Sequence, residues 1–161
     1  MILRKEPCIR MFIEKKISSK TIKEIKDVLH ELIINNDFKD ASKKTATRHG
    51  FQTPNIVNLF SKKLLKKILP IENYYTDINY IHYIYYFPGG WQDEHLHKDE
   101  QYSFILYLND SDGPTFFKEP INKKITPQKG KLIFFGAQIL HGCEKSFKNK
   151  QILVGAVNKH V

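Results

Sequence analysis

Hydrophobic positions along the chain change their rhythm near residue 78, and two kinds of element follow from that change. Before it, Ile22, Ile25, Val28, Leu29, Leu32 and Ile33 recur at three- and four-residue intervals, which places one apolar face on a helix. Ser18 or Ser19 can cap this helix, which begins near Thr21, and the turn-forming run Asn35-Asn36-Asp37 ends it. The polar segment from Asp40 to Gly50 reads as a loop. A second helix is expected from Pro54 or Asn55 to Leu69, stopping at Pro70. In it Lys62, Lys63, Lys66 and Lys67 alternate with Leu64, Leu65, Ile68 and Leu69 as the wet and dry sides of an amphipathic helix.

Beyond residue 78 the pattern is that of short strands between turns. Ile78 to Phe87, rich in Ile and Tyr, is one strand, ended by Pro88-Gly89-Gly90. Ser103 to Leu108 is a second, followed by the turn Asn109-Asp110-Ser111-Asp112-Gly113. Thr115 to Lys118 is short and extended, and the turn Pro127 to Gly130 leads into a strand at Lys131 to Phe135. Gly136 and Gly142 bracket another short piece, and Gln151 to Val157 closes the pattern. Such a series of strands suggests a sandwich or barrel, with the earlier helices packed on one outer face. The length of 161 residues argues for a single domain over 1–161, helical support at about 18–70 and a β core at about 78–161.

Composition narrows the class. Hydrophobic residues at 41% and charged residues at 27% are those of an ordinary globular protein. The net charge of +9 allows nucleic acid, an anionic membrane or an acidic small molecule as partner, but the lysines are scattered from end to end, as on a solvated surface. Cys8 and Cys143 make no metal-type pair, which fits a reducing compartment. Met1 to Phe12 has no signal-peptide pattern, and no stretch has the ~20 apolar residues of a membrane span. A cytoplasmic protein with no membrane partner is expected. The sequence sets no oligomeric state.

The candidate chemistry lies in His97-Lys98-Asp99 and His141. On an extended segment residues i and i+2 point to one side, so His97 and Asp99 can converge on one point. With His141 they make two imidazoles and a carboxylate, the facial triad of non-haem iron(II) oxygenases, which leaves coordination positions open. His95 offers a competing His-x-His pair with His97 and is otherwise a candidate for the substrate side or for a place behind the ligands.

Several blocks around these residues occur in a recognisable order. They are Tyr86-Phe87-Pro88-Gly89-Gly90-Trp91 before His97, then Phe104-Ile105-Leu106-Tyr107-Leu108-Asn109, and Gly113-Pro114-Thr115-Phe116-Phe117. Pro127-Gln128-Lys129-Gly130-Lys131-Leu132-Ile133-Phe134-Phe135 follows, ahead of His141-Gly142, and Lys150 stands nine residues after His141. In this arrangement the chain, from about Tyr80 to Val157, resembles the prolyl-4-hydroxylase-like branch of the 2-oxoglutarate/Fe(II)-dependent dioxygenases. Two features depart from the pattern: the interval from His97 to His141 is short, and Tyr86 lies eleven residues before His97, farther than is usual.

The resemblance implies a mainly β fold, the double-stranded β-helix or jelly-roll barrel, with N-terminal helices bracing one sheet. It implies Fe(II) on His97, Asp99 and His141, with 2-oxoglutarate as cosubstrate and O2 as oxidant. One carboxylate of this dianion would be held by Lys150 and Tyr107, since a buried carboxylate needs an opposite charge and hydrogen bonds. Tyr86 would contact the metal-chelating end. The bland alternatives are that Tyr86 and Tyr107 are core aromatics and Lys150 one more surface lysine. Trp91 reads as a loop anchor and Cys143 as a small filler, while His30, His49, His82 and His160 have no motif around them.

The implied activity is hydroxylation of a C–H bond with release of succinate and CO2, on a protein or peptide side chain such as proline. A free amino acid or other small molecule is the rival substrate. An oxidative nucleic-acid demethylase would suit the charge, but no base-stacking motif supports it. The non-enzymatic alternative is a cupin-like binding module.

Overall fold

The computed structural model describes residues 11–34, 40, 43, 45–69 and 78–158. The turn expected at Asn35–Asp37, the stop at Pro70, Cys8 and His160 lie outside these residues. The chain opens with a strand that the sequence pattern did not announce, β1 (Phe12–Lys16), which pairs antiparallel with β7 (Lys131–Gly136). Helix α1 (Ser19–Ile34) follows, its first turn closed by Ser18, whose Oγ accepts from the Thr21 amide at 3.2 Å.

Residues Thr47–Gln52, expected in a loop, form a strand, β2, paired with the long strand β3 (Ile78–His95). Polar residues hide this strand from the pattern, because β2 lies on an edge and is half-exposed. The second helix is shorter than expected: a 3-10 turn at Val57–Leu59 precedes α2 (Lys62–Ile68), capped by Ser61, whose Oγ accepts from the Leu64 amide at 3.1 Å. Leu64, Leu65 and Ile68 are buried, and Lys67 pairs with Glu24 of α1 at 3.0 Å. No helix among the described residues is long and apolar enough to cross a membrane.

The remaining strands are β4 (Glu100–Tyr107), β5 (Thr115–Phe117), β6 (Lys123–Ile125), β8 (His141–Cys143) and β9 (Lys150–Asn158). All run antiparallel in the order β1-β7-β4-β9-β3-β8-β5-β6. The organising element is β3. Pro88-Gly89-Gly90 does not end it but bends it, with Gly89 at φ 91°, a value open to glycine and strained for other residues. Before the bend, Ile78–Tyr86 pairs with β9; after it, Gln92 and His95 pair with β8. One strand thus passes from a larger sheet (β1-β7-β4-β9-β3) into a smaller one (β3-β8-β5-β6), and the two curl around a common interior. This is a jelly-roll arrangement.

Alternation along the larger sheet sorts side chains into two cores. Ile81, Tyr83, Phe104, Leu106, Leu132, Phe134 and Leu153 face outward, against Ile22, Ile25 and Leu29 of α1 and Leu64, Leu65 and Ile68 of α2. Ile84, Tyr86, Ile105, Tyr107, Ile133, Phe135 and Ile152 face inward, toward Phe117, Ile139 and Cys143. With both faces covered, the middle strands read as continuous apolar runs such as Phe104–Leu108 rather than alternating ones.

Candidate metal centre and buried lysine

Strand pairing brings three histidines together at one end of the interior. His95 closes β3 and stands directly opposite His141 in β8. His97 is two residues further on, on the same extended side, and its amide is held by the Ala137 carbonyl at 2.9 Å. One ring nitrogen from each of His95, His97 and His141 lies within 4.8 Å of the other two. Ring centroids are 4.3 Å apart for His95 and His141, 5.1 Å for His95 and His97, and 5.4 Å for His97 and His141.

Each imidazole is oriented through Nδ1. His141 donates to the Ile139 carbonyl at 2.8 Å, and His95 donates to the Asp93 carbonyl at 2.7 Å. His97 Nδ1 is 2.9 Å from the Tyr80 hydroxyl. This leaves Nε2 of each ring for a metal, the usual way such ligands are fixed from behind. Burial lowers all three pKa values, that of His97 to about 4, and neighbouring histidines add to the lowering at His97 and His141 while Asp93 opposes it at His95. The rings are therefore neutral, the form that binds a metal.

Of the expected ligands, the structure brings together His97 and His141 but not Asp99. The extended segment of β3 runs up to His95, so the i, i+2 relation pairs His95 with His97. The chain then bends at Lys98–Asp99, and Asp99 is exposed, outside the cluster. Tyr86 lies nine residues before His95, so counting from His95 shortens the long interval noted in the sequence.

Lys150 is 1% exposed, which removes the surface-lysine alternative. It opens β9 opposite Tyr86, with Nζ donating to the Gly113 carbonyl at 2.9 Å and lying 4.7 Å from the Tyr86 ring centroid. No carboxylate among the described residues is within ion-pair distance of it. An ammonium so buried is normally paired with an anion. The Tyr86 hydroxyl is buried too and has no hydrogen-bond partner among the described residues, and burial pushes its pKa well up. Tyr107, also fully buried, shares a short 2.5 Å hydrogen bond with Thr115. The interior thus holds a lone cation, an orphaned phenol and a hydroxyl pair, a set of donors that fits the carboxylate of an acidic ligand.

A cavity of about 320 Å³ opens beside the histidines, lined among others by Gln52, Tyr80, His82, Gln92, Ser103 and Phe135. His82, Tyr80 and Ser103 carry no motif, so sequence reading passed over them. Their strand parity was the available signal: Tyr80 and His82 share a side with Tyr86, and Ser103 shares one with Tyr107. Trp91 is half-buried, its Nε1 bonded to Asp93 at 3.0 Å.

No protein-family model matches the chain, and no curated protein matches it. Solved structures do. The chain is similar to a Pseudomonas putida prolyl-4-hydroxylase, at 12% identity and a TM-score of 0.64 over 93% of each chain. It is similar to a Trichoplax adhaerens prolyl hydroxylase solved with a hypoxia inducible factor oxygen degradation domain peptide fragment, at 14% identity and a TM-score of 0.65 over 91% of this chain and 83% of that one. HygX from Streptomyces hygroscopicus, solved with nickel, 2-oxoglutarate and hygromycin B, matches at 9% identity and a TM-score of 0.68, over 91% and 82%. The chain shares the double-stranded β-helix fold of these solved structures.

Proposed function

We propose that the chain is an Fe(II)- and 2-oxoglutarate-dependent oxygenase, with its metal on His95, His97 and His141 and its cosubstrate anchored by Lys150. The observation that carries this reading is the pairing, inside one jelly roll, of three neutral imidazoles with a buried ammonium that has no carboxylate beside it among the described residues. Imidazole nitrogens suit iron(II), and three of them on one side leave positions free for a chelating cosubstrate and for oxygen. The bound iron supplies the oxidation: 2-oxoglutarate and O2 become succinate and CO2 as a substrate C–H bond is hydroxylated. The protein's own groups do the rest. Lys150 neutralises the distal carboxylate, the Tyr107–Thr115 pair offers it hydrogen bonds, the Tyr86 hydroxyl serves the metal-chelating end of the cosubstrate, and the apolar walls of Ile84, Ile105 and Phe135 exclude water. Tyr80 and the Asp93 and Ile139 carbonyls hold the imidazoles in place.

A protein or peptide side chain such as proline is the first reading for the substrate, in line with the prolyl hydroxylase neighbours. The neighbour that holds hygromycin B supports a small molecule as the second. The reading is tested by succinate release from 2-oxoglutarate, which is expected to require both Fe(II) and O2. His95→Ala is expected to abolish it and Asp99→Ala to retain it. Release by the His95→Ala variant with loss in Asp99→Ala would return the third ligand to Asp99. Absence of 2-oxoglutarate binding to the metal-loaded protein would overturn the reading as a whole.

A further inference from the structure

Two large hydrophobic side chains that stand in water among the described residues, Phe147 at 87% exposed and Phe87 at 44%, meet at one corner of the barrel. The corner is held rigidly. Ser146 is fully buried, its carbonyl accepts from the Gly89 amide, and its amide donates to the Gly90 carbonyl. The Lys148 amide donates to the Asp112 carboxylate at 3.0 Å. These bonds fix Phe147 from both sides, beside the Phe87–Pro88 stretch, and leave its ring in solvent. Burying such a ring is worth about 1.5–3 kcal/mol, so a partner that covers it gains that stabilisation.

More rings continue the corner. Phe87 meets Tyr85 edge-on at 5.5 Å and His49 at 5.6 Å. The Lys145 ammonium lies 4.9 Å over the Trp91 ring. Tyr85 and Phe87 point out of the barrel, opposite in parity to Tyr86, so they face neither the histidines nor Lys150. Tyr80, which meets His97, stands seven residues back along β3, about 23 Å at the strand rise. This surface is therefore separate from the metal and cosubstrate pocket.

Charge and shape together select its occupant. The carboxylates of Asp93 and Glu144 are paired with Arg48 and Lys124, whereas the Lys145 and Lys148 side chains form no ion pair among the described residues. Exposed rings flanked by lysines suit bases joined by phosphates, and a duplex would hide the base faces that stack on them. A second copy of the chain would bring the same lysines together across a two-fold axis. Hydrocarbon would strand the polar groups between the rings, His49 and the bond from Asn149 Nδ2 to the Tyr85 hydroxyl at 3.0 Å.

We infer that this corner binds single-stranded nucleic acid without sequence preference, with bases stacked on Phe147 and Phe87 and phosphates along Lys145 and Lys148. The net charge of +9 favours the same partner. The surface does not depend on the oxygenase reading. Its rings come from three separate stretches of the chain, so no stacking motif stands out in the sequence.

The test is fluorescence polarisation of the full chain with fluorescein-labelled oligothymidylate and oligouridylate of about 15 nucleotides, at about 50 mM salt. At least one is expected to bind. Affinity should fall about tenfold in Phe147→Ala, the worth of one stacked base, and be kept in Phe147→Trp. Circular dichroism should show both variants folded, since the ring is in solvent. Lys145→Gln combined with Lys148→Gln should reduce the salt slope of log affinity by about 1.4, at about 0.7 for each phosphate contact on a single strand. No binding of either strand, equal binding by Phe147→Ala, or tighter binding of the oligothymidylate once paired with its complement would each overturn the inference. So would tighter binding to phosphatidylserine vesicles, or a Phe147-dependent dimer seen by light scattering.

Discussion

At the scale of single residues, Lys150 shows how chemistry and stability separate. A buried ammonium without a carboxylate is held at an electrostatic cost, and an apolar residue of similar length relieves it. Lys150→Met is therefore expected to leave the melting temperature of the ligand-free protein unchanged or raised. Its dissociation constant for 2-oxoglutarate, measured by calorimetry on metal-loaded protein, should rise about 100-fold or more, since a charged hydrogen bond and a neutralised anion are lost together. A structural lysine would give the opposite pattern, with stability lost and affinity kept. The position of Lys150 nine residues after His141 made it legible in the sequence, as did the two histidines His97 and His141. The third ring, His95, was weighed as a competing partner of His97 and ranked behind Asp99, because His95-x-His97 and His97-x-Asp99 have the same spacing. Only the end of β3 distinguishes them, and a chain pattern does not locate that end. Ser103 was illegible for another reason: a serine among apolar residues looks like an interruption, and its orphaned hydroxyl exists only once three strands surround it.

At the scale of elements, the β3–β8 pairing holds the histidines in register. Gly142, between His141 and Cys143, lets the strands approach closely: a Cβ there would lie 2.8 Å from the Gln92 carbonyl oxygen and 2.7 Å from Phe116 Cζ. The carbonyl belongs to the backbone of β3 and cannot swing away. Gly142→Ala is expected to destabilise the fold by about 1–3 kcal/mol, as overpacking does, and to weaken metal binding by moving His141 from His95. Chemical denaturation and a metal titration check the two effects. Helix α1 was readable because its periodicity is strong and it begins at a serine cap, whereas the expected start of the second helix at Pro54 or Asn55 overran the true one, where Ser61 caps α2. β1 and β2 were not, because their residues alternate poorly. The strand through Pro88-Gly89-Gly90 was hidden since these residues usually break strands, whereas here they turn one between two sheets.

At the scale of the molecule, two helices cover the outer face of the larger sheet while the curl encloses the inner one, so both sides of β3, β4, β7 and β9 are dry. Tyr83, Tyr86 and Tyr107 are buried there, and burial raises the pKa of each above the ordinary 10.0. The unfolded chain ionises these phenols near pH 10 and the folded one does not. Their contribution is intact below that pH and is lost as pH rises beyond it. The unfolding free energy is expected to decline steeply above pH 10, and a Tyr83→Phe variant should decline less, as followed by denaturant titration at pH 8 to 11. The spacing of strands suggested a sandwich or barrel, and the family resemblance carried by the ordered blocks implied the jelly roll, while the crossing of one strand between sheets was not legible. That crossing makes β3 a common chassis: Tyr86 faces Lys150 before the bend and His95 faces His141 after it. Because side chains alternate, one residue inserted between Phe87 and Gly90 would invert everything downstream and nothing upstream. Such an insertion would abolish metal loading yet spare the acid-binding floor, a clean way to uncouple the two halves of the centre.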